Sequence, residues 1–158
     1  MFYFYKKFIT IYEKKEMPFI EWNEKFLTGF KVIDIQHKRL VDLTNQIYEA
    51  IKQNQAEHII DQILNELYKY AHYHFTTEEK LMAEFDYPEL DYHRKEHEKF
   101  IQKVNDFIKE RNALEDKRDF TIEIMRFLKD WLIRHVLGTD MKYVPYLKAK
   151  LEKAKSSK

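Results

Sequence analysis

Hydrophobic residues recur three and four positions apart along most of the chain, which is the spacing of one face of an α-helix. The first stripe follows a polar and aromatic lead-in at residues 17–33 and predicts helix A over about 35–53, with Asp34 as a plausible N-cap. The next stripe predicts helix B over about 56–85. The apolar positions of these two helices are Leu40, Leu43, Ile47, Ile51, Ile59, Ile60, Ile63, Leu67, Tyr70, Leu81 and Phe85.

Two further stripes complete the pattern. A break at 86–88 (Asp-Tyr-Pro), where proline cannot continue a helix interior, precedes helix C over about 89–111. Helix D is predicted over about 119–137, Gly138 is expected to end it, and a last short helix is expected over about 141–155. The apolar positions of helices C and D are Phe100, Val104, Phe107, Phe120, Ile124, Phe127, Leu128 and Trp131. Four amphipathic helices with short links predict an all-α fold, an up-down-up-down four-helix bundle.

The length of 158 residues fits one domain, which we place at 17–150, followed by a basic tail at 151–158. Residues 1–16 differ from the rest, because their aromatic run is too short for a spanning helix and lacks the cleavage site of a signal peptide. We favour an N-terminal extension upstream of a natural start at Met17, outside the natural product, over an amphipathic helix on a membrane surface.

Charge and composition exclude several classes of partner and site. The 28 basic and 27 acidic residues give a net charge of +1, so no global field attracts nucleic acid or an anionic membrane. Cysteine is absent, which excludes disulfides, thiolate zinc sites, iron–sulfur clusters and cysteine nucleophiles and fits a reducing, cytoplasmic location. Any metal must therefore be held by nitrogen and oxygen.

Five histidines and two carboxylates lie on or beside the predicted apolar faces. On helix B, His74 and Glu78 are four positions apart and share a face, as do His93 and His97 on helix C. Counting about 1.5 Å per residue from each turn brings the whole set to similar heights in the bundle. The set is His37, His74, Glu78, His93, His97, His135 and Asp140, the last lying just beyond the expected end of helix D.

A single histidine on an apolar face is more often a hydrogen-bonded core residue than a metal ligand, so only the convergence of several such residues indicates a metal site. Five imidazoles and two carboxylates buried together without a metal would be costly, because each unpaired polar group loses its hydration. Seven ligands are too many for one tetrahedral zinc but suit two metal ions, with the carboxylates as bridges. Imidazole-rich ligation suits iron, copper, nickel or zinc, and spacing alone does not choose among them.

Four motifs, in this order and spacing, make the chain resemble the hemerythrin family, specifically its single-domain bacterial members. They span about residues 19–147 and read FIEWNEKFLTGFKVIDIQHKRL, HFTTEEKLM, HRKEH and HVLGTDMKYVPYL. The resemblance implies two iron ions in a non-haem di-iron centre with an oxo or hydroxo bridge. It assigns His93, His97 and His135 to one iron, His37 and His74 to the other, and Glu78 and Asp140 to the bridging positions.

By the same resemblance, dioxygen binds at an open position of the two-histidine iron, reversibly and without catalysis, for oxygen storage, delivery or scavenging. Imidazoles donate less negative charge than carboxylates, which favours binding over oxidation. An oxygen or redox sensor acting through a separate partner, and a peroxidase or nitric oxide-consuming enzyme, stay open as alternatives. Dioxygen is the expected partner, with no nucleic acid and no membrane, and we expect a monomer or a weak homo-oligomer.

Other side chains are predicted to surround the cluster. Candidates for an apolar pocket wall, or equally for plain core packing, are Phe75, Phe127, Trp131 and Leu137. Tyr70 and Trp131 are also candidate hydrogen-bond donors near the metals. His58 and His72 do not match the spacing of the other histidines and are predicted to lie on the surface.

Overall fold

A computed structural model describes residues 17–114 and 117–156, and the chain folds there as helices without strands. The helices are α1 (Lys31–Lys52), α2 (Ala56–Glu84), α3 (Leu90–Glu110), α4 (Lys117–Trp131), a π-helical segment (Leu132–Thr139) and α5 (Asp140–Ser156). The predicted all-α, up-down-up-down four-helix bundle, with its lead-in and C-terminal helix, is confirmed. The predicted N-terminal extension, residues 1–16, lies outside the described residues.

The predicted apolar stripes form the core of the bundle. Leu40, Leu43 and Ile47 of α1 are fully buried, and so are Phe100 and Phe107 of α3. Each such side chain contributes roughly 1.5–3 kcal/mol through the water it no longer contacts. This main cluster fills one part of the bundle. A smaller cluster closes the other end and consists of Met82, Tyr87, Tyr143 and Leu147.

Helix α1 begins earlier than the hydrophobic pattern predicts. Its first residue is Lys31, so Asp34 lies inside the first turn and the predicted N-cap is wrong. The Asp34 carboxylate instead accepts hydrogen bonds from Thr28 N (2.8 Å), Thr28 Oγ1 (2.6 Å) and Gly29 N (3.2 Å). Gly29 has φ +83°, a left-handed conformation that residues with a side chain rarely adopt. Asp34 therefore anchors the turn that delivers the lead-in to α1.

The predicted helix end at Gly138 is also wrong. The backbone continues from α4 through the π-helical segment into α5. Gly138 does not adopt the positive φ with which a glycine commonly ends a helix. The N–H of Asp140 instead donates to the carbonyl of His135, five residues earlier, which is the hydrogen bond of a π-helix. Asp140 is thus the first residue of α5 rather than a residue beyond a break.

Short links join the helices of the bundle. Residues 53–55 connect α1 to α2 and residues 85–89 connect α2 to α3, with Asn54 and Asp86 each at φ 54°. Pro88 lies in the second link, where the sequence predicts a break. In the two described stretches, no helix combines the length and the apolar character that crossing a membrane requires.

Candidate metal centre

The structure brings all seven predicted residues into one buried cluster. Each is at most 2% exposed, whereas His58 and His72 are exposed, as predicted. Their potential metal-binding atoms form two sets, and within each set they lie no more than 4.8 Å apart. The three-histidine group consists of His93, His97 and His135, and the two-histidine group of His37 and His74. Glu78 belongs to both sets.

The carboxylate of Asp140 lies between the two groups. Its Oδ2 is 3.1 Å from Nε2 of His37. Its Oδ1 is 3.2 Å from Nε2 of His93 and 3.0 Å from Nε2 of His135. One carboxylate thus presents a separate oxygen to each group, which is the arrangement that a bridge between two metal ions requires.

Glu78 also faces both groups. Its Oε2 is 3.3 Å from Nε2 of His97 and 3.5 Å from Nε2 of His74, while its Oε1 is 3.6 Å from Nε2 of His37. The buried hydroxyl of Tyr143 donates to Oε1 at 2.7 Å. Sequence reasoning missed Tyr143, although it lies three residues beyond the last predicted carboxylate, on the same helical face.

Three of the imidazoles are held from behind, through Nδ1, by a second side chain. The pairs are His97 with Glu79 (2.8 Å), His135 with Glu96 (2.6 Å) and His74 with Gln36 (2.8 Å). A carboxylate or an amide oxygen only accepts, so each Nδ1 carries the proton. Each Nε2 is then left with a lone pair that faces the cluster, as a metal ligand requires.

Sequence reasoning missed all three of these partners. Each is the sequence neighbour of a cluster residue: Gln36 precedes His37, and Glu79 follows Glu78. Glu96 likewise comes directly before a cluster histidine. A polar residue at the edge of a buried face, beside a predicted metal-binding residue, is the signal that could have identified them.

Contacts between imidazoles and carboxylates set the charge of the metal-free cluster. Burial by itself lowers the pKa of His37 and of His93, but the carboxylates of Asp140 and Glu78 raise these pKa values to about 10 and about 9. Burial lowers the pKa of His74 to about 4. Burial also raises the pKa of both carboxylates, but the surrounding imidazoles outweigh it and hold both below their ordinary values. The imidazolium charges of His37 and His93 therefore offset the charges of the two carboxylates at neutral pH.

Among the described residues, the atoms that face the centre of the cluster have no hydrogen-bond partner. They are Nε2 of all five cluster histidines, Oε2 of Glu78, and Oδ1 and Oδ2 of Asp140. Buried polar atoms without partners are costly unless an ion satisfies them. Their nitrogen–oxygen separations are 3.0–3.6 Å. Two ligand atoms about 2.1 Å from one ion lie about 3.0 Å apart at right angles, so the donor set fits transition-metal ions.

Aromatic rings cover the three-histidine group. Phe75 stacks on His97, with 3.8 Å between ring centroids, and Trp131 stacks on His135 at 3.9 Å. Phe75 is buried and Trp131 is partly buried. Together they place apolar surface against the cluster on this side.

The remaining predicted neighbours have less defined roles. Phe127 and Leu137 are partly buried and pack against the main core cluster. The hydroxyl of Tyr70 and Nε1 of Trp131 are buried without a hydrogen-bond partner in the described part of the chain. Their roles as donors therefore stay predictions.

Comparison with known proteins shows the family to which this chain is similar. Residues 28–147 match the hemerythrin HHE cation binding domain. The chain is 35% identical over 128 residues to Bacteriohemerythrin of Clostridium acetobutylicum, which covers 78% of this chain and 97% of that protein. It is 29% identical over 123 residues to Myohemerythrin of Theromyzon tessulatum, covering 78% of this chain and 89% of that protein. A crystal structure of a hemerythrin mutant matches with a TM-score of 0.70 and 29% identity, covering 83% of this chain and 98% of that chain.

Proposed function

This chain belongs to the hemerythrin family, and from that premise we propose that it binds dioxygen reversibly at a non-haem di-iron centre, for storage, delivery or scavenging. The observation that carries the proposal is the position of Asp140, whose two carboxylate oxygens face different histidine groups. A carboxylate placed in this way can bind two metal ions that lie side by side, with one oxygen on each.

In this proposal the chain supplies unequal numbers of ligands to the two ions. The three-histidine group would hold one iron and the two-histidine group the other, with Glu78 and Asp140 available to both. The second iron would have one protein ligand fewer, which would leave room for an external molecule. A pair of ferrous ions would supply that open position and the two electrons that dioxygen binding requires.

The protein's own part is to orient the donors and to exclude water. Gln36, Glu79 and Glu96 fix three imidazoles with Nε2 directed at the cluster. Phe75 and Trp131 cover two of those rings, and an apolar shell of this kind controls solvent access to a metal site. Neutral imidazoles stabilise higher-valent iron less than carboxylates do, which supports reversible binding over oxidation.

The burial of the cluster restricts the ligand to a small molecule. Every cluster residue is at most 2% exposed, so a larger ligand would have to displace a helix to reach the centre. A cytoplasmic location and a monomer or weak homo-oligomer are part of the same proposal.

An oxygen titration tests the proposed function. The protein is loaded with ferrous iron under argon, its iron per chain is measured, and dioxygen is added in steps while the optical spectrum is recorded. We expect about two irons per chain, a spectral change that saturates near one dioxygen per chain, and its reversal on purging with argon. Continuous dioxygen consumption, or no spectral response, would overturn the proposal.

A further inference from the structure

The two histidine groups differ in what holds their outer ring nitrogens. In the three-histidine group, Nδ1 of His97 donates to the carboxylate of Glu79 and Nδ1 of His135 donates to the carboxylate of Glu96. In the two-histidine group, Nδ1 of His74 donates to a neutral amide. The other imidazole of that group, His37, has a buried Nδ1 without a partner in the described part of the chain.

The amide that holds His74 is fixed in its orientation by a chain of hydrogen bonds. The hydroxyl of Thr77 donates to the carbonyl of Tyr73 at 2.8 Å, so its oxygen is free to accept. The Nε2 of Gln36 approaches that oxygen at 3.4 Å, which leaves Oε1 of Gln36 for the Nδ1–H of His74. Gln36 is buried, so no bulk solvent reorients it.

This difference changes the strength of the imidazoles as ligands. A carboxylate that accepts from Nδ1–H draws the proton toward itself and raises electron density on the opposite nitrogen, so the imidazole binds a metal more tightly. Hydrogen bonds to ionised groups are about twice as strong as those between neutral groups. Arg94 pairs with the other oxygen of Glu79, at 3.3 Å, and keeps that carboxylate ionised at the surface. The neutral amide oxygen of Gln36 draws the Nδ1 proton of His74 less strongly than a carboxylate would, so it strengthens this ligand less.

The shared carboxylate of Glu78 is biased in the same direction. Tyr143 donates to Oε1, the oxygen that lies nearest to His37. That bond withdraws charge from the oxygen that faces His37. The other oxygen, Oε2, has no hydrogen-bond partner in the described residues and faces His93 and His97 as well as His74, so this bias weakens only the His37 side of the two-histidine group.

We propose that these outer partners make the two metal positions unequal, so that the three-histidine position fills first and holds its ion more tightly. The two-histidine position, held by Gln36 in place of a carboxylate, fills second and empties first. The inference rests on the proposed function only in requiring that two ions share the cluster. Gln36, Glu79 and Glu96 act here as positioning residues, since none of them faces the ions.

The test is a cobalt(II) titration against a competing chelator, which needs neither iron nor dioxygen. Wild-type protein should bind in two resolved steps. His135→Ala should remove the tighter step and His74→Ala the weaker one, which assigns each step to a group. Glu79→Gln and Glu96→Gln should then weaken the tighter step by about 10–100-fold and leave the weaker step nearly unchanged.

The reverse substitution gives the more specific test. Gln36→Glu should tighten the weaker step, because it gives His74 the carboxylate partner that the other group has. Glu98→Gln, on the exposed face of α3, is the matched control and should alter neither step. Circular dichroism checks that each variant is folded, and if Gln36→Glu unfolds, the Glu79→Gln and Glu96→Gln results decide.

Several outcomes would overturn the inference. These are equal affinities at the two positions, loss of the weaker step in His135→Ala with the tighter one retained, or equal weakening of both steps by Glu79→Gln. Ordered binding of two ions by a protein that does not respond to dioxygen would sink the proposed function and leave this inference standing. Absence of any metal binding would end both.

Discussion

Nε2 of His135 lies 3.0 Å from Oδ1 of Asp140, although the two residues are five positions apart on one continuous helical stretch. On a regular α-helix, side chains five positions apart point about 140° away from each other. The π-helical segment reduces this difference, because its wider turn brings residues five apart closer to one face. A single stretch of backbone therefore supplies both an imidazole and the carboxylate that lies between the two groups.

Replacing a histidine of the two-histidine group should separate the two metal positions. His74→Ala removes one nitrogen from the position proposed to bind dioxygen, so oxygen binding should be lost while iron falls toward about one ion per chain. Optical titration and iron analysis measure both effects. His72→Ala, two residues away on the exposed face of the same helix, should match wild type. A wild-type oxygen spectrum in His74→Ala would contradict the assignment.

The hydrogen bond from Tyr143 to Glu78 should contribute to the stability of the metal-free protein. Tyr143→Phe leaves the ring in place and removes the donor from a fully buried carboxylate, which should lower the free energy of unfolding by about 1.5–3 kcal/mol. Urea denaturation of the metal-free protein measures this. Tyr73→Phe removes an exposed hydroxyl and should change stability by less than about 0.5 kcal/mol. Equal effects of the two substitutions would argue against a structural role for the Tyr143 hydroxyl.

Metal uptake should release protons near neutral pH. His37 and His93 carry raised pKa values of about 10 and about 9, so both are protonated at pH 7.5 in the metal-free protein, whereas the pKa of His74, about 4, leaves it neutral. A metal binds only the neutral imidazole and must displace those protons. Apparent affinity should therefore rise with pH up to about pH 10. Titration in weak buffer with a pH indicator checks this, and uptake without proton release would contradict it.

Loss of the Asp34 carboxylate should destabilise the lead-in. Asp34→Ala removes the acceptor of three hydrogen bonds from Thr28 and Gly29 and should cost about 2 kcal/mol. Asp42→Ala, which breaks only an exposed pair with Lys38 on the same helix, should cost at most about 1 kcal/mol. Thermal and urea denaturation compare the two. A larger loss in Asp42→Ala would show that Asp34 does not anchor the lead-in.

Removing the buried hydroxyl of Tyr70, unlike the preceding substitutions, should not lower the free energy of unfolding. It has no partner within the described residues, so Tyr70→Phe should leave the free energy of unfolding unchanged or raise it by about 1 kcal/mol. The ring, stacked on His74 at 5.1 Å between centroids, is retained. A decrease of more than about 1 kcal/mol in a urea titration would instead reveal a water or another group bound to that hydroxyl.

Helical spacing identified the buried stripes, and counting heights from each turn brought the seven cluster residues to one level. Asp140 was placed beyond the end of helix D rather than on a helical face, and the ligand roles came from the resemblance to hemerythrins. The partners of Nδ1 were not predicted, since Gln36 and Glu79 lie at the edges of the buried faces, where a polar side chain is ordinary. The sequence also did not predict the π-helical segment. Its i+5 hydrogen bonds depend on packing around His135 and Asp140 rather than on local preference, and a nearby glycine suggests a helix end.

The main apolar cluster draws on α1, α2, α3 and α4 and includes none of the candidate metal ligands. This separates the chain from small zinc domains, which stay unfolded until their ion arrives. We therefore expect the polypeptide to fold before it binds metal, so that folding and metal uptake are two separate steps.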